Sequence, residues 1–322
     1  MKRRDMLIAA ATAAAGGVAR AQPYPGKPIQ LVVPAAAAGL ADLVARVLAA
    51  TLERILQQPV TVQNRIGAGG LIGTAFVAKA PADGYTLLFS LTSHATLPEA
   101  EQVRGRAPAY ELNQFKAIAR VSYEPTLLVA SNAAGEQGLQ KLVERARKAP
   151  MTVSYASTGY YANSHVGIEG FAQAAGLKLI HAPYQGGAQA LSAVAGGQVD
   201  LTTAGVATAA SFAKSGRLRI LGVLGNRRIA TMPDVPTLRE LGYDTDYYVW
   251  TGLFAPAATP APVLDTLRRA MKTASTDPQF KAALEKMDTT LDYQDAPEFE
   301  RFVQAEGQRL GEITRRIGKV GE

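Results

Sequence analysis

Ser154-Tyr-Ala-Ser-Thr-Gly-Tyr-Tyr-Ala-Asn-Ser-His165 changes character twice along its length. Met151 to Ala156 reads as an apolar strand, Ser157-Thr158-Gly159 as a small polar turn, and Asn163 to Ala175 as a helix. A strand that feeds a turn and then a helix leaves several backbone N–H groups at the helix start without partners. With the hydroxyls of Ser157, Thr158 and Ser164 they form a site for an anion, one half of a ligand clamp. The same residues suit an ordinary strand–turn–helix connection in which they only cap the helix.

Outward from this stretch, strands and helices alternate. Ile29 to Val33 is an apolar run closed by Pro34, and Leu40, Val44, Val47, Leu48, Leu52 and Ile55 then recur at helical spacing. Val60 to Val62 predicts a strand, the loop Asn64 to Gly70 opens a helix over Leu71 to Lys79, and Asp83-Gly84 turns into a strand at Tyr85 to Phe89. Thr92 to Gln114 reads as polar and irregular, with separate strands after it at Ala117 to Val121 and Thr126 to Ala130. The rhythm then restarts, with helices near 139–148, 163–175, 188–194 and 208–214 and strands at 151–156, 178–181, 199–202 and 218–224. Such alternation predicts a mostly parallel sheet covered by helices, in two similar α/β halves.

The last part breaks the rhythm. Asp234-Val-Pro-Thr-Leu238 predicts a short helix, Tyr247 to Phe254 an aromatic strand, and three helices without strands follow, the last lined by Phe299, Phe302, Val303, Leu310, Ile313 and Ile317. Such an end cannot extend a parallel sheet and is expected to pack back on the first half.

The chain has 322 residues, 48% hydrophobic and 19% charged, the profile of a globular protein of one large or two medium domains. Met1-Lys-Arg-Arg4, the alanine-rich run Met6 to Val18 and Ala19-Arg-Ala21 read as an export signal over residues 1–21, too short and too weakly apolar to span a bilayer. Arg3-Arg4 resembles a twin-arginine signal, with the general secretory route as the alternative. Removing Lys2, Arg3, Arg4, Arg20 and Asp5 with that segment lowers the formal charge from +7 to +4, and scattered basic residues at that level argue against nucleic acid. The absence of cysteine excludes disulfides, a thiolate nucleophile and a cysteine zinc site.

Catalytic motifs are thin. Gly67-Ala-Gly-Gly70 lacks the spacing of either phosphate-binding glycine motif, and its glycines are better explained by tight turning. A Ser/His hydrolase would need Ser157 or Ser164 with His94, His165 or His181, but no Gly-x-Ser-x-Gly elbow is present. Ser164 and His165 are neighbours in sequence and do not face each other on a helix. The three histidines lack metal-ligand spacing, so neither metal nor cofactor is expected. Asp42 lies inside the first long helix, where the dipole favours a carboxylate and a capping role is natural. Trp250 lies beside Tyr247 and Tyr248 as core or as pocket wall.

Several stretches together resemble one family. They are Tyr24 to Pro34, Gln58 to Gly73, Ala82 to Leu88, Ser154 to His165, Ala182-Pro-Tyr-Gln-Gly-Gly-Ala188, Gly196-Gly-Gln-Val-Asp200, Met232 to Thr237 and Phe254 to Pro260, in order along the chain. The chain thereby resembles the Bug-type periplasmic receptors of tripartite tricarboxylate transporters.

The resemblance implies an α/β, two-domain periplasmic binding protein of type II, a Venus flytrap with two crossing strands. Domain one would comprise 23–122 plus 249–322, and domain two 123–248. It implies a receptor, not an enzyme, expected as a monomer, that captures a small organic carboxylate for a membrane permease; a receptor serving a sensor protein would look the same. The ligand would lie between Ala37, Gly39, Leu40, Ala41 and Asp42 on one loop and Ser157, Thr158, Gly159, Tyr160, Asn163, Ser164 and His165 on the other. Ala204, Gly205 and Val206 would add a third wall.

Departures from the family pattern concern polarity. Ala41 stands where a threonine is usual, Ala204-Gly205 where an Asp-Asn pair is frequent, and Tyr160-Tyr161 where residues are small. An aromatic or branched acid with a single charge is therefore expected ahead of citrate, malate or glutamate.

Overall fold

The computed structural model describes residues 24–132 and 138–320, so the expected export signal, residues 1–21, lies outside the described residues. Three parallel strands, β1 (Ile29–Val33), β2 (Val60–Asn64) and β3 (Thr86–Leu91), run in the order β2-β1-β3. They are joined through α1 (Leu40–Leu56) and α2 (Leu71–Ala78). The face of α1 formed by Ala41, Val44, Ala45, Leu48, Ala49 and Leu52 is buried, the 3.6-residue stripe that its sequence predicts.

Residues 92–114 are not irregular throughout. They contain α3 (Ser93–Val103), with Pro98 inside it. Proline lacks the N–H that would meet the His94 carbonyl, and the Tyr110 hydroxyl donates to that carbonyl instead at 2.8 Å.

The two strands expected after this stretch are one, β4 (Phe115–Ser131). Its first part, to Pro125, pairs with β9 (Tyr248–Pro256). From Thr126 onward it pairs with β7 (Leu201–Ala204) and β8 (Leu218–Leu224). The second lobe repeats the parallel pattern with β5 (Ser154–Ser157) between β6 (Ile180–Pro183) and β7. Its helices are α4 (Leu139–Lys148), α5 (Asn163–Ala175), α6 (Gly187–Ala195) and α7 (Val206–Lys214). The chain returns at Tyr247, whose N–H donates to Leu224 and whose carbonyl accepts from Thr126, before β9 enters the first lobe.

Two expectations for the C-terminal part fail. Residues 234–238 are not helical: Pro236 accepts from Val223 N–H and Leu238 N–H donates to Val223, so this backbone pairs with β8. A strand, β10 (Leu291–Asp295), intervenes after α8 (Ala261–Thr276) and α9 (Pro278–Glu285) and pairs antiparallel with β4. The closing helix α10 (Glu298–Ile317) touches both lobes. Phe299 and Val303 pack with Trp250 and Phe254, whereas Leu310 and Ile313 pack with the cluster around Phe171 and Tyr247. Trp250 is therefore core.

Candidate functional site

A cavity of about 670 Å³ lies between the lobes. Its wall includes Pro34 after β1, Ser90 and Leu91 of β3, Thr158 after β5, Pro183 of β6 and Thr203 and Ala204 of β7. These are the carboxyl ends of parallel strands, where α/β sheets place their ligands. Thr126 and Val249, at the two crossings, complete the floor.

Six helices begin at this cavity: α1, α2, α3, α5, α6 and α7. The residues that should cap five of them are Gly39, Gly70, Ala162, Gly186 and Gly205, none of which carries a side-chain acceptor. The sixth, Thr92, has its hydroxyl engaged with the Tyr248 carbonyl at 3.1 Å and the Trp250 N–H at 2.9 Å. Leu71 N–H donates to the Ala68 carbonyl and Ala95 N–H to that of Thr92. No side chain caps the first turn of any of these helices, and the remaining first-turn N–H groups carry the positive end of each helix dipole. In the Gly67–Gly70 turn, Gly70 has φ of 112°, and a Cβ there would stand 3.1 Å from the Pro34 carbonyl oxygen, so the turn needs glycine.

Asp42 braces the first loop from behind and does not line the cavity. Its buried carboxylate accepts from Ala38 N–H at 2.9 Å, Asn64 Nδ2 at 2.9 Å and Arg46 Nε at 3.0 Å. Burial would raise its pKa, but the hydrogen bonds from Arg46, Ala38 and Asn64 and the Arg46 charge hold it below the usual carboxylate range.

The second loop is organised by its own hydroxyls. Thr158 N–H donates to Ser164 Oγ at 2.8 Å, and Tyr161 N–H donates to His165 Nδ1 at 2.8 Å. Tyr161 sits at φ of 57°, and its hydroxyl donates to Gly318 O and accepts from Val320 N–H, tying the turn to the segment after α10. Ser157 Oγ lies 2.6 Å from His181 Nε2, so a serine–histidine pair does exist. It is not presented to the cavity: Ser157 is fully buried, accepts from Gly159 N–H, and is absent from the cavity wall. His181 Nδ1 has no partner among the described residues, so no carboxylate orients the ring. Burial lowers the His181 pKa to about 4, and burial with the neighbouring His181 lowers that of His165 to about 3.

Of the residues expected at the ligand, Gly39, Leu40, Ala41, Thr158, Gly159, Tyr160, Asn163, Ser164, Ala204 and Gly205 line one cavity. Ala37 is exposed outside it, Val206 is half-buried and absent from the wall, and Asp42, Ser157 and His165 are buried behind the wall. The cavity also draws on residues that the sequence reading did not assign. These are the Gly69–Leu71 turn, Ser90, Ser93, Leu97, Glu101, Arg104 and Arg106 around α3, and Tyr184 to Gly187. The turn containing Gly186 and Gly187 was visible as a motif, but nothing in the sequence aimed it at a ligand.

Residues 44–319 match the family described as tripartite tricarboxylate transporter family receptor. The chain belongs to that family. Protein BugT of Bordetella pertussis is 32% identical over 309 residues, covering 96% of this chain and 94% of that protein. Among solved structures, the periplasmic binding protein BugD aligns with a TM-score of 0.81 at 31% identity, over 91% of this chain and 98% of BugD. The receptor is also similar to MatC of Rhodopseudomonas palustris with bound malate, with a TM-score of 0.81, 26% identity and coverage of 90% and 100%. R. palustris Rpa4515 with adipate gives 0.83, 25% identity and coverage of 92% and 100%. The fold is accordingly that of a two-domain α/β periplasmic binding protein, and the family is one of transporter receptors.

Proposed function

We propose that this receptor captures a small organic carboxylate in the cleft and delivers it to the membrane permease of a tripartite tricarboxylate-type transporter. The observation that carries the reading is the set of helix starts with non-capping residues around one cavity. An anion supplies the acceptor that glycine and alanine withhold. The first loop offers N–H groups at Leu40 and Ala41, the second at Asn163 and Ser164, with Gly39, Thr158, Gly159 and Tyr160 alongside. Ala204 and Gly205 close the third side. Malate and adipate in the two R. palustris proteins are both carboxylates and support this class.

The mechanism is hinge closure between residues 23–122 plus 249–322 and residues 123–248. The change of pairing partner after Pro125 and the return at Tyr247 support hinges at those two points. Because α10 touches both lobes, closure turns about the contacts of its second half. Ligand binds the closed form better and shifts the population toward it. The protein acts as a periplasmic monomer and performs no chemistry, since its serine–histidine pair is walled off from the cavity.

The test is a thermal-shift panel of mono-, di- and tricarboxylates on the purified receptor. A true ligand at a hundred times its dissociation constant stabilises the native state by about 2.7 kcal/mol. That raises the midpoint by roughly several degrees. A panel in which amines or neutral sugars shift the midpoint and no carboxylate does would overturn the reading.

A further inference from the structure

Ser90 is next to last in β3, is 1% exposed, and lines the cleft, yet its hydroxyl has no hydrogen-bond partner among the described residues. A buried hydroxyl without a partner is destabilising, so its presence on a ligand-facing wall is informative. The start of α3 follows directly. There the Thr92 hydroxyl is engaged elsewhere, and Ser93, 5% exposed, also lines the cavity. An uncapped helix start and two hydroxyls favour an accepting, negatively polarised group over a cation. The one acidic residue of the cavity wall, Glu101, lies eight positions along α3, about 12 Å by helical rise, and faces Arg104 at 3.7 Å. Leu40, Leu71, Leu91, Leu97 and Val249 give the same wall its apolar surface, and Arg104 and Arg106 also line it.

We infer that Ser90, Ser93 and the start of α3 form a second acceptor subsite, and that Ser90 selects ligands with a second oxygen acceptor across an apolar carbon body. The inference rests on the carboxylate reading above and sharpens it. The two loops alone point to an acid with one charge; the floor of the cleft supplies a place for its far end. An acid with a carboxylate at each end fits both subsites, whereas an acid with a methyl terminus would leave Ser90 unpaired.

Isothermal titration of chain-matched pairs, succinate with butanoate and adipate with hexanoate, tests this on the wild-type receptor and the Ser90→Ala variant. In the wild type at least one diacid is expected to bind at least about ten-fold more tightly than its matched monoacid, as for a hydrogen bond to a charged group. In Ser90→Ala that ratio collapses toward one, while the ligand-free melting midpoint stays level or rises because an unpartnered hydroxyl has been removed. A fall of the ligand-free midpoint marks Ser90 as merely structural and overturns the inference. So does an unchanged ratio, or a monoacid that binds the wild type as well as its diacid. If none of the four acids binds, and a wider carboxylate panel gives no thermal shift either, the carboxylate reading itself falls and this inference with it. If only other carboxylates shift the midpoint, the Ser90→Ala comparison is made on the best diacid and its chain-matched monoacid, and the same outcomes decide.

Discussion

His94 and His165 are each 1% exposed, and both have pKa values lowered to about 3. For His94 the cause is burial; for His165 it is burial and then the charge of His181. Neither ring nitrogen of His94 has a hydrogen-bond partner among the described residues, and Tyr110, Phe115 and Phe254 surround the ring. An unfolded histidine takes up a proton near pH 6.5. Between that pH and about 3 the unfolded state therefore holds more protons, and stability falls as pH falls. From pH 7 to pH 5 the loss is about 2 kcal/mol for each residue, and about as much again for His181, whose pKa burial lowers to about 4.

Glu124 and Glu169 act the other way. Burial raises their carboxyl pKa values against the hydrogen bonds they accept, so they protonate earlier in the folded state and return part of the loss. With three histidines the net loss is then about 4–6 kcal/mol, or roughly 8–12 °C in the melting midpoint. Thermal melts followed by circular dichroism at pH 7, 6 and 5 measure it directly. A His94→Phe variant separates the cause, because any packing cost shifts all its midpoints together while the slope against pH shrinks by roughly a third to a half. A flat wild-type profile, or a variant with the wild-type slope, would refute the reasoning.

Asp42→Ala removes the acceptor of Ala38 N–H and a partner of Asn64, and should cost about 1–3 kcal/mol in a urea titration while weakening carboxylate binding. Unaltered stability and affinity would mean that the first loop holds its shape without this brace. Tyr110→Phe strands the His94 carbonyl that Pro98 cannot serve and should cost about 1–2 kcal/mol; a midpoint equal to wild type would show that the bond contributes nothing.

Most of the architecture was legible because burial on one face imposes a spacing. The stripe along α1 and the apolar runs of β1 and β3 show it directly. The failures have local causes. β4 was split in two because its register shifts near Ala117–Ala119 and Arg120–Ser122 and Pro125 interrupts it where it changes partners. α3 was hidden by Pro98, whose cost is met by a hydroxyl twelve residues away that no local pattern announces. β10 was missed because Leu-Asp-Tyr-Gln-Asp is partly exposed throughout and polar. Residues 234–238 carry a fair helix-start signature, but their backbone groups find partners on β8, and tertiary pairing outweighs so weak a preference.

The site was half legible for a different reason. A reading tuned to chemistry-bearing side chains meets Ala35-Ala-Ala-Ala-Gly39 and Ala204-Gly205 and finds a pocket stripped of polar groups. In the fold those same residues stand at helix starts, where the absence of a capping side chain leaves the backbone donors open. Ser90 was illegible from the other side, because within Thr-Leu-Leu-Phe-Ser-Leu it reads as one small residue of a buried strand. The arrangement has a consequence for delivery. The cavity's arginines, Arg104 and Arg106, follow α3, and neither loop contributes a lysine or arginine to the wall. Holding an anion at the loops with neutral N–H groups and partial dipole charges therefore avoids a buried charge pair there, with its desolvation cost on formation and its strong penalty when one partner leaves. A carrier must let its ligand go once the lobes part. Neutral donors, rehydrated by water as the cleft opens, meet that requirement without leaving an uncompensated charge behind.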